Sequence, residues 1–359
     1  MTSDVKGIVT VAAVATEAAV ASQTDAPSTV VARQWVEAFE RHRQAAAGGC
    51  ATAMVGCAYF YLYGMGATRI QRSTAIAWLD KALATGHREA AWLRVFDLTF
   101  GAGTNDKDDA HAMDVLESRR WQFPLSPTPT TVVATLGDLL AAAAMCFLTC
   151  DDKKQVEWSP LVLGELRSLA DAGDPFAAWA ASLLASEGHS TVRNEAVARR
   201  YCEAAARQGH AAAQRRWAAW LPNDEEGRIE WYTRAAEQGD PIANLRLASV
   251  DANVPCRVKR TEFLLKAAVE GDLAAAQYEL GDAYNRGWGV PRDPKRALDM
   301  YRRASAHGHT IGHLRLARMH QRGEGGATKD MRIAIQLLRK AHERGNEDAR
   351  HKLKRLGAC

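Results

Sequence analysis

The strongest constraint on this chain is a pattern written nearly twice at a 37-residue period between Ala276 and Ala349. The first copy runs Ala276-Gln277, Leu280-Gly281, Tyr284, Gly287-Trp288-Gly289-Val290, Asp293, Ala297, Tyr301, Ala304, Gly308. The second returns Leu316-Ala317, His320, Gly323-Glu324-Gly325, Asp330, Ala334, Leu338, Ala341, Gly345 and Ala349. Self-similarity at this period marks a helical repeat array, whose units cannot bury their apolar faces alone and must stack on neighbours.

Each copy divides into two helices. Ala276, Leu280, Gly281 and Tyr284 recur at helical spacing and give a first helix, A, one packed face. Gly287 and Gly289 break it and supply the positive φ of a tight loop. Asp293 can cap the second helix, B, with Pro294 at the first helical position, where its missing N–H costs nothing. In helix B, Ala297, Tyr301 and Ala304 share one side and Gly308 ends the helix. Small residues at the contact points let the two helices approach closely.

Leu-Gly-x-x-Tyr-x-x-Gly-x-Gly-Val, an Asp, Ala-x-x-x-Tyr-x-x-Ala and a final Gly resemble the Sel-one-like repeat, a relative of the tetratricopeptide repeat. The resemblance implies an all-α fold, a right-handed α-solenoid of antiparallel helix pairs whose concave side, lined mainly by A helices, grips other proteins. It specifies fold far better than function.

Weaker copies fill much of the chain. Ala53, Cys57-Ala58, Tyr61, Gly64-Met65-Gly66, Ala75, Leu79, Ala82 and Gly86 form a first unit. Gly173, Gly209, Gly239, Gly271, Gly308 and Gly345 end successive B helices at separations of 36, 30, 32, 37 and 37 residues. The units ending at Gly239 and Gly271 carry Pro222-Asn223-Asp224 and Val254-Pro255-Cys256 where the Gly-x-Gly loop would be. The expected organisation is a flexible tail over residues 1–29, a capping helix and irregular repeats over 30–172, regular repeats over 173–346, and a basic capping helix over 347–359. Within the irregular part, Ala90–Phe100, Asp109–Trp121, Leu136–Leu148 and Leu161–Ala172 read as helices, and Phe123–Thr130 as a proline-fixed connector.

Charge is unevenly spread. Residues 1–188 hold 15 Lys and Arg against 21 Asp and Glu, a net of −6, while residues 189–359 hold 31 against 21, a net of +10. A basic half attracts acidic proteins, nucleic acid or an anionic surface. Seven cysteines contain no Cys-x-x-Cys, and Cys146 with Cys150 reads as buried small side chains, which suits a reduced, cytoplasmic protein. Residues 6–21 offer the alternative of a weak export signal, interrupted by Glu17. No run of eighteen apolar residues suggests a transmembrane helix.

Chemistry finds little support. His309 and His313 have the spacing of a zinc helix, but the metalloprotease glutamate is absent, and both read as ordinary surface histidines. Asp106, Asp108 and Asp109 lack the rest of a calcium loop. No nucleophile elbow or phosphate loop occurs. The expectation is a non-enzymatic scaffold or adaptor with no catalytic residues, cofactor, metal or small-molecule substrate, including a bacterial effector, immunity or complex-assembly role. Its partner is another protein, possible anchors being Trp220 and Trp288, with Trp78, Trp217 and Trp231 assigned to the core. Aligned units place Arg216, Arg246, Glu279 and Arg315 at one position of successive A helices, with Arg318 and Arg322 following along the last. Arginines so arranged could hold an acidic partner bidentately. The alternative is an RNA-binding repeat that uses the basic half, although no repeated base-reading pair accompanies the charge.

Overall fold

A computed structural model describes residues 27–65, 69–87, 90–91, 93–94, 163–187, 193–221, 224–250 and 257–358. Every regular element among them is a helix. In chain order these are α1 (Pro27–Ala47), α2 (Ala51–Tyr63), α3 (Arg72–Ala84), α4 (163–171), α5 (Pro175–Glu187), α6 (Glu195–Arg207), α7 (Ala211–Ala219) and α8 (Glu225–Glu237). Then follow α9 (Pro241–Val250), α10 (Arg257–Leu265), α11 (Ala274–Arg286), α12 (Pro294–Ala306), α13 (Thr310–Arg322), α14 (Met331–Glu343) and α15 (Glu347–Arg355). Packing divides the chain into two units, one ending at Asp240 and one beginning at Pro241. The division falls inside the stretch that the sequence gives as regular repeats.

Both units are stacks of antiparallel helix pairs, an α-solenoid architecture. In the C-terminal unit, Ala276, Leu280, Tyr284, Ala297 and Tyr301 are buried together, as the repeat spacing predicts. Gly287 and Gly323 end α11 and α13 at φ 73° and 71°. Asp293 and Asp330 then cap α12 and α14, their side chains accepting from Lys295 N and Arg296 N, and from Arg332 N. A cap of this kind is worth on the order of 1 kcal/mol.

One pair departs from the pattern. Helix α10 runs into a π-helical turn at Lys266–Glu270, and Asp272, at φ 49°, takes the left-handed position that glycine holds elsewhere. Three residues, not two, carry Gly271 to the start of α11. The π turn absorbs that extra residue and keeps Leu264 and Ala268 in the core.

The expected cap at the start is longer than its Val30–His42 signature. Helix α1 spans 21 residues, with Trp35 and Phe39 packed edge-on against Phe60 at 6.2 and 5.4 Å. Helix α15 buries only Ala349 and Leu353 and turns its basic side chains to solvent. Asp109–Trp121, Leu136–Leu148, Phe123–Thr130, the cysteine pair 146/150, the Asp106–Asp109 group and residues 6–21 lie outside the described residues.

Candidate functional site

The two units finish their A-helix faces in different ways. In the N-terminal unit, Tyr59 and Tyr63 of α2 pack against Phe176 of α5 at 4.9 and 5.4 Å. His210, the cap of α7, lies 4.6 Å from Tyr63 and 5.2 Å from Trp179. Its Nδ1 accepts from Ala213 N at 3.2 Å, and its Nε2 is buried with no hydrogen-bond partner. Burial, with Arg215 adding a smaller effect, pushes its pKa down to about 3, so the ring is neutral. Apolar rings fill this seam.

In the C-terminal unit the seam between α11 and α13 is charged. Asp282 accepts from Tyr301 Oη at 2.5 Å, from Arg315 Nε at 3.0 Å and from Arg315 Nη2 at 3.2 Å. Tyr278 Oη adds a longer contact of 3.4 Å, and Arg286 lies 3.7 Å away. Burial and the Asp282 hydrogen bond raise the Tyr301 pKa, so the phenol stays protonated and donating. Gly281 makes the arrangement possible, because a Cβ there would lie 2.7 Å from the Tyr301 ring. Around the cluster opens a groove of about 240 Å³, lined by Asp282, Asn285, Arg286, Tyr301, Arg315, Arg318, Met319 and Glu324.

The arginines of the aligned position are mostly engaged within the fold. Arg216 donates to Ser186 Oγ at 2.6 Å and lies over Trp179 and Trp220. Arg315 repeats that step over Tyr278 at 5.8 Å while gripping Asp282. Glu279 pairs with Arg260 at 3.0 Å, and Arg322 with Glu324 at 3.3 Å. Arg246 and Arg318 are different. Both are exposed, and neither has an ionic partner among the described residues.

The tryptophans separate as well. Trp288 is 38% exposed in its Gly-x-Gly loop, covered on one side by Arg286 at 4.4 Å. Trp220 is half-buried between Arg199 and Arg216. Trp78, Trp217 and Trp231 are partly buried against the N-terminal core.

One expectation is corrected. His309 and His313 are not surface histidines. His309 caps α13, accepting from Gly312 N at 3.1 Å and stacking on Tyr278 at 5.2 Å. His313 is 4% exposed, with Nδ1 2.6 Å from Ser305 Oγ. The left-handed Gly308 turns the chain so that residue 309 must cap and residue 313 faces the preceding B helix. Among the described residues, no three His, Cys, Asp or Glu side chains gather as a metal site.

Repetition missed Asp282, Asn285, Arg286 and Tyr301 as members of a polar cluster. A signal existed: in the 37-residue alignment Arg315 of one unit stands three positions from the residue matching Asp282, on the same face of helix A.

A stack of hairpins joined by Gly-ended, Asp-capped helices defines a helical-repeat protein. The Sel1 repeat matches residues 51–87, 175–210, 229–240, 274–309 and 310–346. The chain carries Sel1 repeats. It resembles the crystal structure of a Sel1 repeat protein from Oxalobacter formigenes at a TM-score of 0.54 and 25% identity, covering 89% of this chain and 90% of that one. It also resembles a protective antigen of uropathogenic Escherichia coli with an SLR fold, at a TM-score of 0.50 and 21% identity, over 89% of this chain and 67% of the other. An uncharacterized protein of Neisseria meningitidis serogroup B is 28% identical over 189 residues, half of this chain. That match spans 40% of the Neisseria protein's length. Repeats of this family commonly mediate protein–protein interaction. No helix among the described residues is long and apolar enough to cross a membrane.

Proposed function

We propose that this protein is a non-enzymatic scaffold or adaptor that holds an acidic segment of a partner protein along the A-helix face of its C-terminal unit. Arg246 of α9 and Arg318 of α13 are the contacting cations. The observation that carries the reading is that these two exposed guanidiniums have no ionic partner among the described residues, whereas Arg216, Arg315 and Arg322 are engaged within the fold. An unpaired, exposed Arg keeps its planar donor fork available for a carboxylate. Arg315, by contrast, orders the seam and displays no free fork.

Fluorescence anisotropy with a labelled Glu-rich peptide tests this on the full chain. The wild type is expected to bind, and Arg246→Glu/Arg318→Glu to weaken binding at least about tenfold, a change of about 1.4 kcal/mol. Equal binding by the double variant overturns the assignment of the cations. Preference for a labelled single-stranded RNA, with the steep salt dependence of phosphate binding, overturns the protein-partner reading.

A further inference from the structure

Helix α10 is the B helix of the pair α9/α10, and its outward face differs from that of the other B helices. Val258, Leu265 and Val269 are 52%, 44% and 52% exposed. They fall at i, i+7 and i+11, on one side of the helix and across about 16 Å of its length. When B helices are aligned, Val258 and Leu265 match Lys295 and Arg302 in α12, Arg332 and Arg339 in α14, Glu226 and Thr233 in α8, and Ala196 and Glu203 in α6. Elsewhere this face carries mainly charge. Val269 lies in the π turn at Lys266–Glu270, at the far end of the same face.

Glu262 and Lys266 sit on this face, one turn apart. Both are exposed, and they pair neither with each other nor with any other described residue, although their order along the helix suits an i, i+4 pair. Two copies of α10 laid antiparallel about a twofold axis near residue 264 would put Glu262 of each against Lys266 of the other. The two Leu265 side chains then meet beside the axis, and Val258 and Val269 close the ends. The face is complementary to itself, as a twofold interface requires.

We propose that the outward face of α10 is a self-association surface, through which two copies of this chain pair by antiparallel α10 helices. One helix on each side buries less than a standard interface of about 1,600 Å², so the dimer is weak and concentration-dependent. This pairing is independent of the acidic-partner reading, since it uses none of the A-helix residues.

Sedimentation velocity on the full chain, over a range of concentrations, tests it. The wild type is expected to shift from monomer to dimer as concentration rises. Leu265→Glu should remain monomeric with an unchanged circular dichroism spectrum. Glu262→Lys and Lys266→Glu, each alone, should lose the dimer, because each places like charges opposite one another. Mixing those two variants should restore it, since the mixed pair has opposite charges at both contacts. A wild type that stays monomeric across the range overturns the proposal. So does a dimer unaffected by Leu265→Glu, or a mixture no more associated than its components.

Discussion

The aromatic seam of the N-terminal unit and the charged seam of the C-terminal unit are built on the same helical hairpin. Tyr63 and Trp179 close around the neutral His210 in one. Tyr278, Tyr301 and Arg315 close around Asp282 in the other. In both, an arginine of one A helix lies over an aromatic ring of the preceding A helix, Arg216 over Trp179 and Arg315 over Tyr278. The hairpin therefore sets where helices meet, while the A-helix surface residues decide whether the seam is filled with rings or left as a polar groove. The second kind leaves open space lined with donors.

The largest effect that should separate the seams is truncation of Phe176, 2% exposed between Tyr59 and Tyr63. Phe176→Ala is expected to cost about 3–5 kcal/mol in denaturant unfolding, with the loss in the N-terminal unit. A cost under about 1 kcal/mol would show that the rings do not hold the seam.

Acid should also distinguish them. The folded pKa of His210 lies far below the ordinary 6.5, so the unfolded chain binds the extra proton and stability falls as pH drops below 6.5. By pH 5 the His210 contribution is about 2 kcal/mol lost, continuing towards pH 3. Asp174, raised to about 6 chiefly by burial, works in the opposite sense: its contribution is present at low pH and is lost as pH rises through 6. Comparing the wild type with His210→Asn, which keeps a capping side chain, isolates the histidine. The variant's unfolding midpoint should be flatter between pH 6.5 and 5, and an identical pH profile would contradict the neutral buried ring.

A smaller loss is expected from Asp282→Asn, about 1–3 kcal/mol, because Arg315 loses its charged partner in a half-buried position. The chevron or melting curve should report it in the C-terminal unit. Smallest of all, Arg318→Glu should change stability by no more than about 0.5 kcal/mol, since the side chain is exposed and has no ionic partner among the described residues. A large destabilisation by Arg318→Glu would place it with Arg315 as a structural residue.

Much of the hairpin was legible in the sequence because its determinants are local. Gly287 and Gly323 take the left-handed backbone that the pattern requires, and Asp293 and Asp330 cap where they stand. The seams were less legible because they form between residues of different helices, 19 apart for Tyr301 and Asp282 and 33 apart for Arg315 and Asp282, whose meeting depends on helix rotation. Arg315 looked like one rung of a free ladder, and only packing brings it within 3.0 Å of Asp282. His313 looked exposed by type and is buried by register. The π turn in α10 was hidden for a related reason: one extra residue before α11 can be absorbed by the loop or by the helix, and the sequence is the same in either case.

Hydrogen exchange of the full chain with and without a saturating Glu-rich peptide tests the central claim most directly. The account predicts added protection over α9, α11 and α13, residues 241–250, 274–286 and 310–322, none over α2 and α5, and loss of that protection in Arg246→Glu/Arg318→Glu. Protection over the aromatic seam, or protection that survives the double reversal, would contradict it.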